Sequence, residues 1–115
     1  MPESRYHWHP LPSELLRSLD NGCMLELEVG GKRFCITRHE DRFYAVYHAC
    51  PHASGRLSEG RITQKGEVVC PRQGYRFRLD NGFNSSGEGY RLPTYPMRCN
   101  EDGWELGGPL ETNSL

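Results

Sequence analysis

Cys50-Pro51-His52 and, after seventeen intervening residues, Cys70-Pro71-Arg72-Gln73-Gly74-Tyr75 form the stretch that decides the reading of this chain. A cysteine and a histidine two positions apart can turn onto one wall of a loop, and a second loop with a cysteine of its own can face it. Two thiolates from two loops, with an imidazole beside them, are ligand types that soft and borderline iron sites use. The same three residues, Cys50, His52 and Cys70, also have the ligand types for a tetrahedral mononuclear metal such as zinc, which stands as an alternative.

Working outward, the flanking sequence reads as strands. Phe43, Ala45 and Tyr47 alternate with Tyr44, Val46 and His48, a strand covered on both faces that delivers the chain to Cys50. Upstream, Leu25, Leu27 and Val29 alternate with Glu26 and Glu28, Gly30-Gly31 makes a two-residue hairpin turn, and Phe34 and Ile36 alternate with Arg33, Cys35 and Thr37 on the return. Arg5 to His9 is expected as the first strand. Its His7 and His9 share a face, but no thiol or acid lies near them in sequence, so surface histidines beside a packed Trp8 are the simpler reading. Ser13 is expected to cap a helical turn through Leu16.

Between and after the two loops, Arg61-Ile62-Thr63 and Glu67 to Cys70 read as short strands about a turn at Gln64-Lys65-Gly66, with Tyr75 to Leu79 as a third. Asn84 to Gly89 is polar and glycine-rich and is expected as a mobile loop that does not pack. Leu92 to Cys99 and Trp104-Glu105-Leu106 flank a turn at Glu101-Asp102-Gly103, and the chain from Gly107 onward is expected to fray. Cys23, Cys35 and Cys99 stand in no metal-binding spacing and read as small apolar packing residues.

A length of 115 residues suits one domain with a modest core. A net charge of -1 gives no ground for a nucleic-acid or membrane partner, and no apolar run approaches a membrane span. Met1-Pro2-Glu3-Ser4 lacks the basic start and apolar core of a signal peptide, so a cytoplasmic location is expected. There, five cysteines read as thiols or metal ligands rather than as a disulfide framework. No glycine-rich phosphate loop is present, and Ser54 and Ser58 near His52 lack an acidic orienter. No catalytic apparatus is therefore legible in the chain by itself.

The two loops resemble the Rieske [2Fe-2S] pattern, Cys-x-His followed by Cys-x-x-His. Cys50, His52 and Cys70 match it. Pro51 and Pro71 after the cysteines, Gly74-Tyr75-Arg76-Phe77, Leu57 and Gly60 between the loops, and the Leu92-Pro93-Thr94-Tyr95-Pro96 run extend the similarity from about Trp8 to about Leu106. The resemblance implies an all-β fold. A basal antiparallel sandwich or partial barrel (residues about 1–48 and 87–115) would carry an inserted cluster-binding subdomain (about 49–86). It also implies that two cysteines hold one iron and two histidines the other.

Gln73 stands where the family places its second histidine. The imidazole nitrogen that binds iron in the family lies one bond beyond Cγ, whereas the glutamine oxygen lies two bonds beyond it. Gln73 therefore overshoots, and its neutral amide oxygen is a weaker donor than imidazole. By resemblance, Cys50, His52, Cys70 and Gln73 are the cofactor-binding residues of a [2Fe-2S] electron carrier that serves an oxygenase or reductase partner. The alternative is a cluster-free partner-binding module, of the kind found as the small subunit of some nitrite reductases.

Overall fold

The computed structural model describes residues 6–51, 55–72, 74–87 and 91–109. In chain order the elements are β1 (Tyr6–Pro10), α1 (Ser13–Arg17), β2 (Met24–Val29), β3 (Lys32–His39), β4 (Arg42–Tyr47), β5 (Arg61–Ile62), β6 (Glu67–Val69), β7 (Arg76–Arg78), β8 (Thr94–Tyr95), β9 (Met97–Asn100) and β10 (Gly103–Pro109). A 3-10 turn, Leu57–Glu59, lies between β4 and β5. The strands form three antiparallel sheets, ordered β1-β10-β9, β2-β3-β4-β8 and β5-β6-β7. The fold is all-β, as the alternating stretches imply.

The β2–β3 hairpin follows from its turn. Gly30 and Gly31 have φ of +60° and +83°, and two positive φ values give the turn whose twist matches the strands it joins, with Val29 opposite Lys32. The return strand departs from simple alternation: Phe34, Cys35, Ile36 and Thr37 are all buried. Phe34 and Ile36 enter one cluster with Leu11, Leu16, Ala45 and Leu106. Cys35 enters a second with Val46, Leu57, Val68, Phe77 and Leu92. The four-stranded sheet is thus a middle layer, with β1, β9, β10 and α1 on one face and the small β5-β6-β7 sheet on the other.

Several expectations are corrected. Ser13 is the first residue of α1 rather than its cap. Pro12 precedes it, no side chain caps the helix, and Ser18 Oγ bonds Leu15 O near its end at 2.9 Å. The run from Leu92 to Cys99, for which no strand bounds were expected, holds β8 and most of β9. It splits at Pro96, with β8 pairing β4 and β9 pairing β10, so the chain changes sheets there. Gly107 and Gly108 do not fray but pair with Trp8 and His7 of β1; residues 110–115 lie outside the described residues. Ser85 is stitched to β7 through its N–H to Arg76 O at 2.8 Å and to β6 through Oγ to Glu67 at 2.6 Å, so residues 84–87 pack by hydrogen bonding instead of burial, while residues 88–89 lie outside the described residues. Cys35 packs as expected, but Cys23 and Cys99 are exposed. Among the described residues, no helix is long and apolar enough to cross a membrane.

Candidate metal centre

Both loops rise from the second hydrophobic cluster. β4 ends at Tyr47, and the first loop is closed at its base by an antiparallel bridge between Ala49 and Arg56 and by the Leu57 N–H donating to His48 O at 3.0 Å. Within it the Cys50 N–H donates to Gly55 O at 2.9 Å. The second loop leaves β6 and is built the same way: the Cys70 N–H donates to Tyr75 O at 2.8 Å, and the Gly74 N–H returns to Cys70 O at 3.0 Å. In each loop a cysteine amide reaches the carbonyl five residues on. Gly74, with φ of +75°, lets the second loop turn back into β7.

The cysteine side chains are buried, Cys50 at 2% exposure and Cys70 at 1%, in one cluster with Leu57, Val68 and Phe77. The two loops face each other closely at Gly55. A β-carbon there would fall 3.3 Å from Cys70 Sγ and 3.0 Å from Arg72 Cγ, so a side chain at position 55 would enter the space the second loop occupies. His52 and Gln73, the other two site residues expected from sequence, lie outside the described residues. Among the described residues, no three His, Cys, Asp or Glu side chains gather into a metal-binding group.

One pair of residues that sequence reasoning passed over holds the first loop down. Arg56 Nη2 donates to Glu26 Oε1 at 2.5 Å, and Arg33 Nη1 donates to the same oxygen at 3.4 Å. Glu26 sits on β2, yet its side chain is only 9% exposed, covered by these arginines. The Arg56 hydrogen bond holds the Glu26 carboxyl below its usual range. The alternation on β2 marked Glu26 as solvent-facing. The only hint of its role was an arginine immediately after the glycine of the loop.

Cys35, opposite Glu26 across the β2–β3 pair, behaves differently. Burial pushes its thiol up to about 12, so it stays protonated at neutral pH and is no ligand without a cation to compensate it. A hollow of about 360 Å³ opens beside Cys70, between Glu59–Arg61 and Val69–Pro71.

The family model for the Rieske [2Fe-2S] domain matches residues 8–96. The chain belongs to the Rieske [2Fe-2S] domain family. Within it, the chain is 30% identical over 78 residues to the ferredoxin component of the alkene monooxygenase system of Xanthobacter autotrophicus, a match covering 68% of this chain and 64% of that protein. Its fold superposes on the ferredoxin of carbazole 1,9a-dioxygenase from Nocardioides aromaticivorans with a TM-score of 0.75 at 23% identity, covering 89% of this chain and 99% of that one. It also superposes on a chain assigned as an NADH-dependent nitrite reductase small subunit from Mycobacterium tuberculosis, with a TM-score of 0.79 at 20% identity, covering 93% and 98%. These two likenesses establish the Rieske fold.

The described part of the site fits the group for which the Rieske family is named. Two desolvated cysteines on facing, similarly built loops supply soft donors from two directions, and a glycine keeps open the space between one loop and the other's sulfur.

Proposed function

We propose that this protein is a one-electron carrier of the Rieske ferredoxin type, with Cys50 and Cys70 on one iron of a [2Fe-2S] cluster and His52 on the other. Gln73 occupies the sequence position of the fourth ligand, and its amide oxygen is the donor available there. The observation that carries the proposal is the pair of buried cysteines on two loops in contact at Gly55. The 30% identity to an alkene monooxygenase ferredoxin supports an oxygenase or reductase as partner. We place the cluster subdomain at about residues 49–86 and the protein in the cytoplasm.

When bound, such a cluster supplies reversible one-electron redox chemistry. The chain's own residues do the rest. The Cys50 and Cys70 amides fix both loops through their carbonyl bonds, Leu57 and Phe77 exclude water from the sulfurs, and Glu26 holds Arg56 so that the first loop keeps its height. Exposed Pro51 and Pro71 follow the cysteines at the protein surface, a short path for an electron.

Anaerobic titration with dithionite tests the proposal. The visible absorption is expected to bleach with about one electron per chain, since a two-iron cluster cycles between two oxidation levels. Purified protein that is colourless and takes up no electrons would refute the carrier and leave the cluster-free partner-binding module.

A further inference from the structure

The charges of this chain are segregated. Residues 49–86 hold six Lys/Arg against three Asp/Glu, a net of +3, while the remainder holds eight against twelve, a net of -4. In the fold, part of the excess gathers beside the site. The register places Arg61 opposite Val69 and Val69 opposite Arg76, so the three form one row across the small sheet, and the two arginine Cα atoms stand about 10 Å apart. The neighbouring row, Ile62, Val68 and Phe77, points the other way into the core. Arg61 and Arg76 are exposed and make no ion pair with any described residue. Arg72, also exposed, lies on the second loop with its stem along Gly55.

Acids near this face are already engaged. Glu67, two rows away on the same face, accepts from Ser85 and Thr63 and feels the charge of Arg76, Asp80 pairs with Arg78, and Glu59 lies 3.9 Å from Arg56. What remains around Cys70 is a set of three arginines with no ion pair among the described residues, set about the buried Val69 and beside the exposed ring of Pro71.

We infer that this face receives an acidic surface of a partner protein, with Arg61, Arg72 and Arg76 orienting the chain so that the two cysteine loops meet the partner and the negative remainder turns away. The inference rests on the electron-carrier proposal and specifies the charge of the partner. Guanidinium groups beside the exposed Pro71 ring suit a protein interface, where arginine is enriched. The net charge of -1 of the whole chain gives no ground for a polyphosphate partner.

Binding of fluorescein-labelled oligoglutamate, read by anisotropy at low ionic strength, tests the inference without requiring iron. Arg61→Glu/Arg76→Glu and Arg17→Glu/Lys32→Glu change the net charge equally but at different places, all four residues being exposed. The first pair is expected to weaken binding about tenfold or more and the second less than about threefold, since a local field and not net charge steers the probe. Arg72→Glu alone gives a smaller loss and serves if the first double variant does not fold. Equal losses from the two double variants would overturn the inference, as would wild type binding oligothymidylate more tightly than oligoglutamate.

A second readout uses the reduced holoprotein. Each chain passes one electron to ferricyanide, giving ferrocyanide, or to cationic tris(phenanthroline)cobalt(III), giving the cobalt(II) complex. The ferricyanide rate is expected to fall with added salt and with Arg61→Glu/Arg76→Glu, and the cobalt rate to rise with both. Rates that ignore salt and variant would overturn the inference. Colourless protein would defeat the carrier proposal while the oligoglutamate result still decides the arginine face.

Discussion

Buried cysteines in this protein have different fates because of what surrounds them. Cys35 lies in a strand interior, its thiol pushed up to about 12, and its hydroxyl-bearing neighbour Thr37 is equally buried. Cys50 and Cys70 are as desolvated, but each starts a loop that turns toward the other. Gly55 is where the two loops touch, and Gly55→Ala puts a methyl 3.3 Å from Cys70 Sγ. The Arg72 stem can swing aside more easily than a sulfur seated in the core. The substitution should cost about 1–3 kcal/mol in urea unfolding as an overpacked contact, and iron content should fall more than the helical and strand signal in circular dichroism. Gln73→His should retain more iron through dialysis than wild type. It should also steepen the pH dependence of the reduction potential near neutrality, because an imidazole ligand can take up a proton on reduction. An unchanged slope and unchanged iron content would mean that residue 73 does not face the metal. At this scale the sequence foretold that the loops of Cys50 and Cys70 face each other, as they do at Gly55. It misled at Cys23 and Cys99, because an isolated cysteine carries no record of which face its strand or turn will show to water.

Among the elements, the segment from the 3-10 turn to β6 tolerates little change. Gly60 follows Leu57–Glu59, and a β-carbon there would lie 1.9 Å from Val69 O and 3.3 Å from Leu57 O. Both are backbone atoms in fixed places, so Gly60→Ala should cost about 3 kcal/mol or more, read as a lowered urea midpoint with loss of the visible chromophore. The Glu26–Arg56 pair ties this segment to β2. Glu26 has its folded-state pKa lowered, so its contribution to stability is complete above the ordinary carboxylate value of about 4.3 and is lost as pH falls through the lower folded value. Acid titration followed by tryptophan fluorescence should therefore show Glu26→Gln unfolding at a higher pH than wild type, with a flatter dependence below that value. Identical acid midpoints would show that Arg56 does not anchor the loop. Alternation located β2, β3 and β4 correctly, since side chains on a strand change face at every residue. It could not show that the Cys35–Thr37 face of β3 is covered as well. That cover comes from Val68 and Phe77, more than thirty residues away in the chain. The sheet change at Pro96 was hidden for a similar reason, because Leu92 to Cys99 keeps one strand-like composition while its partners differ on either side of the proline.

Taken whole, the molecule is a stack in which the four-stranded sheet divides two apolar clusters, and the site draws on one of them. Its small sheet has strands of two and three residues, too short to persist without that apolar cluster, to which Cys50 and Cys70 belong. Removing iron with a chelator under reducing conditions should therefore raise amide exchange in β5, β6 and β7 by about tenfold or more while β3 and β4 keep their protection, as expected of a locally unfolding unit. Uniform exchange across all three sheets would show that the small sheet does not depend on the site. The central claim is that Cys50 and Cys70, and not the other cysteines, hold a [2Fe-2S] cluster. Iron and acid-labile sulfide per chain, measured after anaerobic purification of wild type, Cys35→Ser and Cys70→Ser, test it most directly. The account predicts about two of each in wild type and in Cys35→Ser and almost none in Cys70→Ser. Iron-free wild type, or Cys70→Ser that keeps its iron and sulfide, would contradict it.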